Sequence, residues 1–380
     1  MTHSGDPAAR CTFCPKLCRD VCPVAIAEGS EAATPTWKGA LAYGWRRGAV
    51  PLETLAGAIY RCTGCGRQRT ACLHGIEART LQQPVREAVW ASGCAPPAVR
   101  RLVARMRERG QPFERPLAPV LERLARSGLP IAGRDRRHRR LLFTGCTALA
   151  RRPQLVRAAA ALAPRLPGGP SAFAPAVCCG LPLWAAGDRE GFVRQLAAAL
   201  RAIDGAQTVF VLDPGCARAL GPLAAAYGLS APAVVRPWIE ALAAGTAALR
   251  GAIVRPIEPT VAYHDPCQLG RWRGVYEPPR ELLALACGGR PPREFAACRQ
   301  QADCAGGEGL YEKLHPAGAR RIAARRLAAF ERTGAAWLAT ACPSAATQLA
   351  RCAPPGLRVG CVTELLALAT GDDPERETPL

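Results

Sequence analysis

Two short runs of cysteine carry the chain's most specific chemistry. The first, "CTFCPKLCRDVCP", places Cys11, Cys14, Cys18 and Cys22 ahead of Pro23 with the spacing C-x2-C-x3-C-x3-C-P. The second, "CTGCGRQRTACLHG" at 62–75, supplies Cys62, Cys65 and Cys72. Thiolates spaced this closely wrap around an iron–sulfur cubane, and the last cysteine of a run reaches to the neighbouring cluster. Against the bacterial run C-x2-C-x2-C-x3-C-P, the first segment is one residue longer in its middle. The second has Gln68 at the third cysteine position and Leu73 at the proline position. With the fourth cysteines crossing over, one [4Fe-4S] site takes Cys11, Cys14, Cys18 and Cys72 and is complete. The other takes Cys22, Cys62 and Cys65 and meets Gln68. A neutral amide is a poor iron ligand, so the second site is expected to be a [3Fe-4S] centre, to be completed by an unusual ligand, or to be absent. The pairs Cys11/Cys14 and Cys62/Cys65 also have zinc-site spacing, but seven cysteines in two runs favour iron–sulfur.

A further set of cysteines follows short apolar runs. "RLLFTGC" (140–146), "TVFVLDPGC" (208–216), "TVAYHDPC" (260–267) and "AAWLATACP" (335–343) each read as a buried strand closed by Gly or Pro and a cysteine. In open parallel sheets, ligands bind beyond the carboxyl ends of strands. Cys146 and Cys216 therefore converge with the adjacent pair Cys178 and Cys179 of "VCCGLP", where Gly180 permits close backbone approach. Adjacent cysteines suit a larger or distorted cluster, or a reactive thiol pair. A second set offers Cys267, Cys304 and Cys342, with Asp303 where the first of the paired cysteines would stand. Asp303 is either a labile ligand that leaves an iron open to substrate or the mark of a lost site. His264 and Asp265 lie close enough before Cys267 to tune it, or simply build an Asp-Pro turn. Cys94, Cys287, Cys298, Cys352 and Cys361 fall outside these patterns and read as small apolar residues.

Elements of two kinds must position these thiols. Residues 1–92 hold both runs, with helical patterns in "PTWKGALAYGWRRG" and in "PLETLAGAIY", where Pro51 suits a first turn and Leu52, Leu55 and Ile59 share a face. Residues 93–138 form an Arg-rich helical connector. Beyond it, strands alternate with helices over 188–203 and 317–332, which means a mainly parallel sheet. There is also an internal repeat. Cys146, Cys179, Cys216 and Glu240 correspond to Cys267, Cys304, Cys342 and Glu364 at offsets of 121, 125, 126 and 124 residues. The expected architecture is an α-helical ferredoxin-like domain (1–92), the connector (93–138), and two α/β units (139–252 and 253–380).

Composition limits the alternatives. The 380 residues carry a formal net charge of +20, yet only Lys16, Lys38 and Lys313 are lysines, and the arginines are spread through an Ala-, Gly- and Pro-rich chain. The densest run, "GRDRRHRR" (133–140), reads as a solvated linker, so nucleic acid is not expected as a partner. No apolar run of 18 residues appears and "MTHSGDPAAR" lacks an apolar signal core, so a cytoplasmic protein is expected. Nineteen cysteines in a reducing compartment point to metal or redox work.

The strings "CPKLCRDVCPV", "CTGCGR", "CCGLP", "HDPCQLGR", "GVYEPPRELL" and "TACPSAATQL", spread over 11–92 and 140–370, resemble iron–sulfur proteins of the type of the heterodisulfide reductase D subunit. The glycolate oxidase iron–sulfur subunit and the C subunit of anaerobic glycerol-3-phosphate dehydrogenase share that plan. The resemblance implies a helical domain with [4Fe-4S] clusters and two CCG domains that bind a further iron–sulfur cluster or act on a disulfide or quinone. The family's CCG domain often ends in a C-x-x-C pair, whose partner positions here are Ala219 and Ala345. With Gln68 and Asp303 also replaced, the resemblance supports electron transfer more firmly than heterodisulfide reduction. The expected function is thus an electron-transfer subunit working with a flavin-containing dehydrogenase or other redox subunit, with peripheral membrane or quinone contact open. The chain shows no G-x-G-x-x-G dinucleotide fingerprint of its own. The alternatives are a disulfide reductase acting at Cys178 and Cys179, and a zinc-stabilised nucleic-acid-binding protein.

Overall fold

The computed structural model describes residues 6–126, 128–133 and 138–375. The core of the arginine run, 134–137, lies outside them, as do residues 1–5 of the amino-terminal segment.

The amino-terminal region is helical. Helix Pro35–Arg46 starts where Thr34 accepts a hydrogen bond from the Trp37 N–H at 3.1 Å, and Pro35 follows in the first turn. Helix Leu52–Ile59 buries Leu55, Ala56 and Ile59; Pro51 sits at its N-cap, one residue before the first turn. Helix Ala78–Ala91 is capped by Glu77, whose carboxylate accepts from the Arg79 N–H at 3.0 Å. Helices Pro97–Arg109 and Ala118–Ala125 occupy the stretch expected to connect.

Two parallel sheets follow. The first contains β1 (Arg140–Phe143), β2 (Ala172–Phe173), β3 (Thr208–Val211) and β4 (Val234–Pro237) in the order β2-β1-β3-β4. The second contains β5 (Val261–His264), β6 (Trp337–Thr340) and β7 (Arg358–Cys361) in that order. An isolated parallel bridge between Ala262 and Arg293 stands where β2 flanks β1 in the first sheet. The short apolar strands are buried on both faces, as parallel strands under helices must be.

Helices fix the units to each other. Arg189–Ala202 begins at Asp188, which accepts from the Gly191 N–H and forms a two-pronged ion pair with Arg107 at 2.7 and 2.9 Å. Helix Pro153–Leu162 of the first unit packs on Val362–Ala369 of the second. Arg152 and Glu364 form a buried ion pair across that junction, 2.6 and 3.0 Å long. Arg86 is fully buried and donates to the carbonyls of Ile59 and Ala185, pinning the helical region to the first unit. Several arginines behind the high net charge are therefore internal pins.

Candidate redox centres

The structure brings together Cys11, Cys14, Cys18 and Cys72 around one small cavity. Cys14 caps helix Pro7–Phe13, and its sulfur accepts from the N–H of Lys16, a residue in the left-handed region (φ 65°). The Ile76 N–H donates to Cys72 at 3.3 Å, and the Thr36 hydroxyl lies 3.1 Å from Cys18. Burial, then the charges of Cys18, Cys14 and Cys72, push the Cys11 thiol up to about 12. Gln68 also lines this cavity, and its amide donates to Glu77 at 3.3 Å.

Cys22, Cys62 and Cys65 form a second group within electrostatic reach of one another. Cys22 is the N-cap of helix Pro23–Glu28 and faces the buried Lys38 ammonium. The sulfur of Cys62 accepts from the Gly64 N–H at 3.4 Å, where Gly64 has φ 69°. The group continues into the second α/β unit. Cys65 stands against Cys304, and Cys304 against Cys267. Arg271 faces all three thiols. Its Nε donates to the Cys65 carbonyl at 2.7 Å and its Nη1 to the Ala302 carbonyl at 2.6 Å, while its buried Nη2 has no partner among the described residues.

The third group lies wholly within the first unit. Cys178 donates to Cys146 at 3.6 Å, and Cys179 stands beside both Cys178 and Cys216; all four are buried. Cys146 begins the helix after β1 and Cys216 lies in the helix after β3, so the strand ends deliver both. The hydrogen bonds from Cys178 and Cys216 hold Cys179 well below the usual thiol range, while Cys178 is pushed above it. A thiol held below its ordinary range favours the thiolate, the form that acts as a nucleophile.

Cys146, Cys179 and Cys216 open onto a cleft of about 220 Å³ between the two units and the helical region. Asp213 and Glu308 line it and meet Cys342, the ligand atoms of the three lying within 4.8 Å of one another. Burial, then Glu308 and Cys179, raise the Asp213 carboxyl to about 8. The walls carry Arg79, Arg151, Arg218, Lys313 and Arg351. Arg79 is buried, stacks 4.3 Å from the Trp184 ring and leaves Nε and Nη1 unpartnered among the described residues. Arg218 lies 3.7 Å from the Trp272 ring.

The remaining candidates are placed elsewhere. Cys342 stands with Asp213 and Glu308. Asp303 is half-exposed and turns to Arg67 at 3.7 Å. Asp265 forms a two-pronged ion pair with Arg280 at 2.8 and 2.9 Å, and His264 accepts from Arg326 at 2.9 Å. No motif or spacing singles out Lys38, Arg79, Asp213, Arg271 or Glu308 in the sequence. Lys38 carries a usable signal all the same: it is one of three lysines and sits in an apolar helical pattern.

The donor set fits iron–sulfur clusters. Grouped thiols receive backbone N–H bonds, and buried cations with unsatisfied donors face them, as anionic thiolate centres require.

A family model for the cysteine-rich CCG domain matches residues 141–221 and 261–350, the two halves of the repeat. The chain is 25% identical over 338 residues to the B subunit of the fumarate reductase (CoM/CoB) of Methanothermobacter marburgensis, covering 86% of this chain and 64% of that protein. It is 36% identical over 94 residues to the D subunit of the dihydromethanophenazine:CoB–CoM heterodisulfide reductase of Methanosarcina acetivorans, covering 23% and 22% of the two chains. A probable membrane-anchored ferredoxin of Chromohalobacter salexigens is 31% identical over 118 residues, covering 30% and 17%. The chain spans less than two thirds of the length of each of these relatives. No described helix is long and apolar enough to cross a membrane.

Proposed function

The chain carries two cysteine-rich domains of the CCG type, and from that premise we propose that it is the iron–sulfur electron-transfer subunit of a cytoplasmic oxidoreductase complex. It passes electrons between a flavin-bearing dehydrogenase-type subunit and the cysteine quartet of the first CCG domain. Residues 1–92 act as the ferredoxin-type domain, 93–138 as its connector, and 139–252 and 253–380 as the CCG domains. The supporting observation is the distribution of thiols: two groups in the helical region, and a third of Cys146, Cys178, Cys179 and Cys216, of which Cys146, Cys179 and Cys216 face a cleft. Iron–sulfur clusters, when bound, take up and release single electrons. Cys11, Cys14, Cys18 and Cys72 would hold one, and the first-domain quartet another. Phe13, Leu17 and Leu73 stand exposed around the first group, and Leu17 and Leu73 line its cavity, giving a partner an apolar landing at the point of electron entry.

A second reading makes the chain itself a disulfide reductase acting at Cys178 and Cys179. The acidic Cys179 and the cationic cleft favour it. Cleaving a disulfide to two thiols takes two electrons and two protons. Asp213 holds a proton at neutral pH beside Cys179, and Arg79 and Arg218 would hold an anionic substrate.

The test is iron and acid-labile sulfide quantitation with EPR on anaerobically purified protein. Stoichiometric iron and sulfide with reducible signals is expected. A colourless protein with stoichiometric zinc would sink both readings and favour a zinc-stabilised one. If Cys179→Ser left disulfide turnover intact, the second reading would fail.

A further inference from the structure

The second thiol group lacks a fourth ligand from its own region, because Gln68 occupies that position and lines the first cavity instead. We infer that Cys304 of the second CCG domain supplies the missing thiolate, so that Cys22, Cys62, Cys65 and Cys304 hold one iron–sulfur centre across the two domains. The inference rests on the iron–sulfur reading above.

Three observations converge. The first is position: Cys304 is buried, in contact with Cys65, and shares an apolar cluster with Cys22 and Cys65. The second is local geometry. The Gly306 N–H donates to the Cys304 sulfur at 3.2 Å, and Gly306 has φ 88°. Cys62 receives the same bond from Gly64 and Cys14 from Lys16, each two residues on and each in the left-handed region. Cys304 therefore sits in the same sulfur-cradling turn as two cysteines of the ferredoxin-type runs, and a backbone N–H to sulfur favours the thiolate. Cys267 receives no such bond among the described residues, and serves Cys304 as a neighbour.

The third observation is the docking around the turn. Arg271 ties the Cys65 carbonyl to the Ala302 carbonyl and leaves its buried Nη2 with no partner among the described residues, beside Cys65 and Cys304. Arg67 hydrogen-bonds Gln301 and pairs with Asp303 at 3.7 Å. Asp303, where the first domain has a cysteine, thus helps clamp the Cys304 loop onto the Cys65 loop. The unsatisfied guanidinium N–H and the buried Lys38 supply the positive surroundings that an anionic centre needs.

The experiment compares iron, sulfide and EPR of the anaerobically purified full chain with those of Cys304→Ser and Cys287→Ser. Cys287 is buried but outside every thiol group, so its variant controls for loss of a core thiol. Cys304→Ser is expected to lose one centre's iron, or to convert its signal to a three-iron type, while the signal lost in Cys11→Ser persists and certifies the fold. Cys287→Ser is expected to match the parent. An unchanged iron count and spectrum in Cys304→Ser would overturn the inference, as would an equal loss in Cys287→Ser. Should the parent chain hold no iron at all, the broader iron–sulfur reading fails instead, a result separable from the failure of Cys304 alone.

Discussion

The two regions that match the CCG model have parted company at their cysteines. In the first, Cys146, Cys178, Cys179 and Cys216 turn inward on one another at the strand ends. In the second, the corresponding thiols turn outward. Cys304 meets Cys65 of the helical region with Cys267 beside it, and Cys342 meets Asp213 of the first domain. Position 303, an aspartate, binds Arg67. The same scaffold thus builds a self-contained quartet once, and once a set of bonds to its neighbours. Duplication leaves the strand-end positions in place, and single substitutions there redirect what they reach.

The sharpest way to break this contrast is Cys179→Ser. It is expected to abolish electron delivery to the cleft, measured as turnover with an artificial donor and acceptor, while leaving the EPR signals of the amino-terminal groups at parent intensity. Equal loss of those signals would show that the quartet is not self-contained. Next in size is the junction between the copies. Glu364→Ala strands the buried Arg152 cation, and should cost about 3 to 5 kcal/mol in denaturant unfolding. Its counterpart Glu240 is half-buried and makes no ion pair among the described residues, so Glu240→Ala should stay within about 0.5 kcal/mol. Equal costs would mean that the copies share one packing scheme after all.

A smaller effect is expected at Gly309. Its φ of 71° is left-handed, and a Cβ there would stand 2.6 Å from the Cys62 carbonyl oxygen. Gly309→Ala should cost about 1 to 3 kcal/mol from the backbone conformation alone, and should loosen the second thiol group before the first. Iron release to a chelator, followed separately for the two amino-terminal EPR signals, reads the order. Simultaneous release would count against an inter-domain site.

Much of this was legible in the sequence because it is local. The strands 140–143, 208–211, 261–264 and 337–340 are each followed closely by Gly or Pro and a cysteine, and the helix over 189–202 has its Asp188 cap and Gly205 stop. The duplication was legible from four anchors at near-constant offset, and the CCG model matches both copies. The two-residue β2 and the strands β4 and β7 carry too little pattern to stand out. The contact of Cys65 with Cys304 was out of reach for another reason. It joins residues far apart in sequence through the docking of two domains, which Arg271 and Arg67 fix by hydrogen bonds to backbone carbonyls and a loop amide. No spacing rule encodes such a contact.

The smallest predicted effect compares one register position. Phe143 ends β1 and His264 ends β5, at the offset that relates Cys146 to Cys267. The aromatic side chain of Phe143 has no proton to exchange. His264 is buried, and burial, then the Arg326 and Arg271 charges, hold its pKa well below the ordinary value. Below about pH 6.5 the unfolded chain binds a proton at this histidine that the folded chain refuses. The stability it contributes is therefore complete above about pH 6.5 and drains away as the pH falls toward the depressed folded value. His264→Gln keeps an acceptor for the Arg326 N–H and removes the titration. Between about pH 7 and 5 the parent's Tm should fall more steeply than the variant's. Parallel Tm curves would place the acid sensitivity elsewhere and leave the two copies alike at this position.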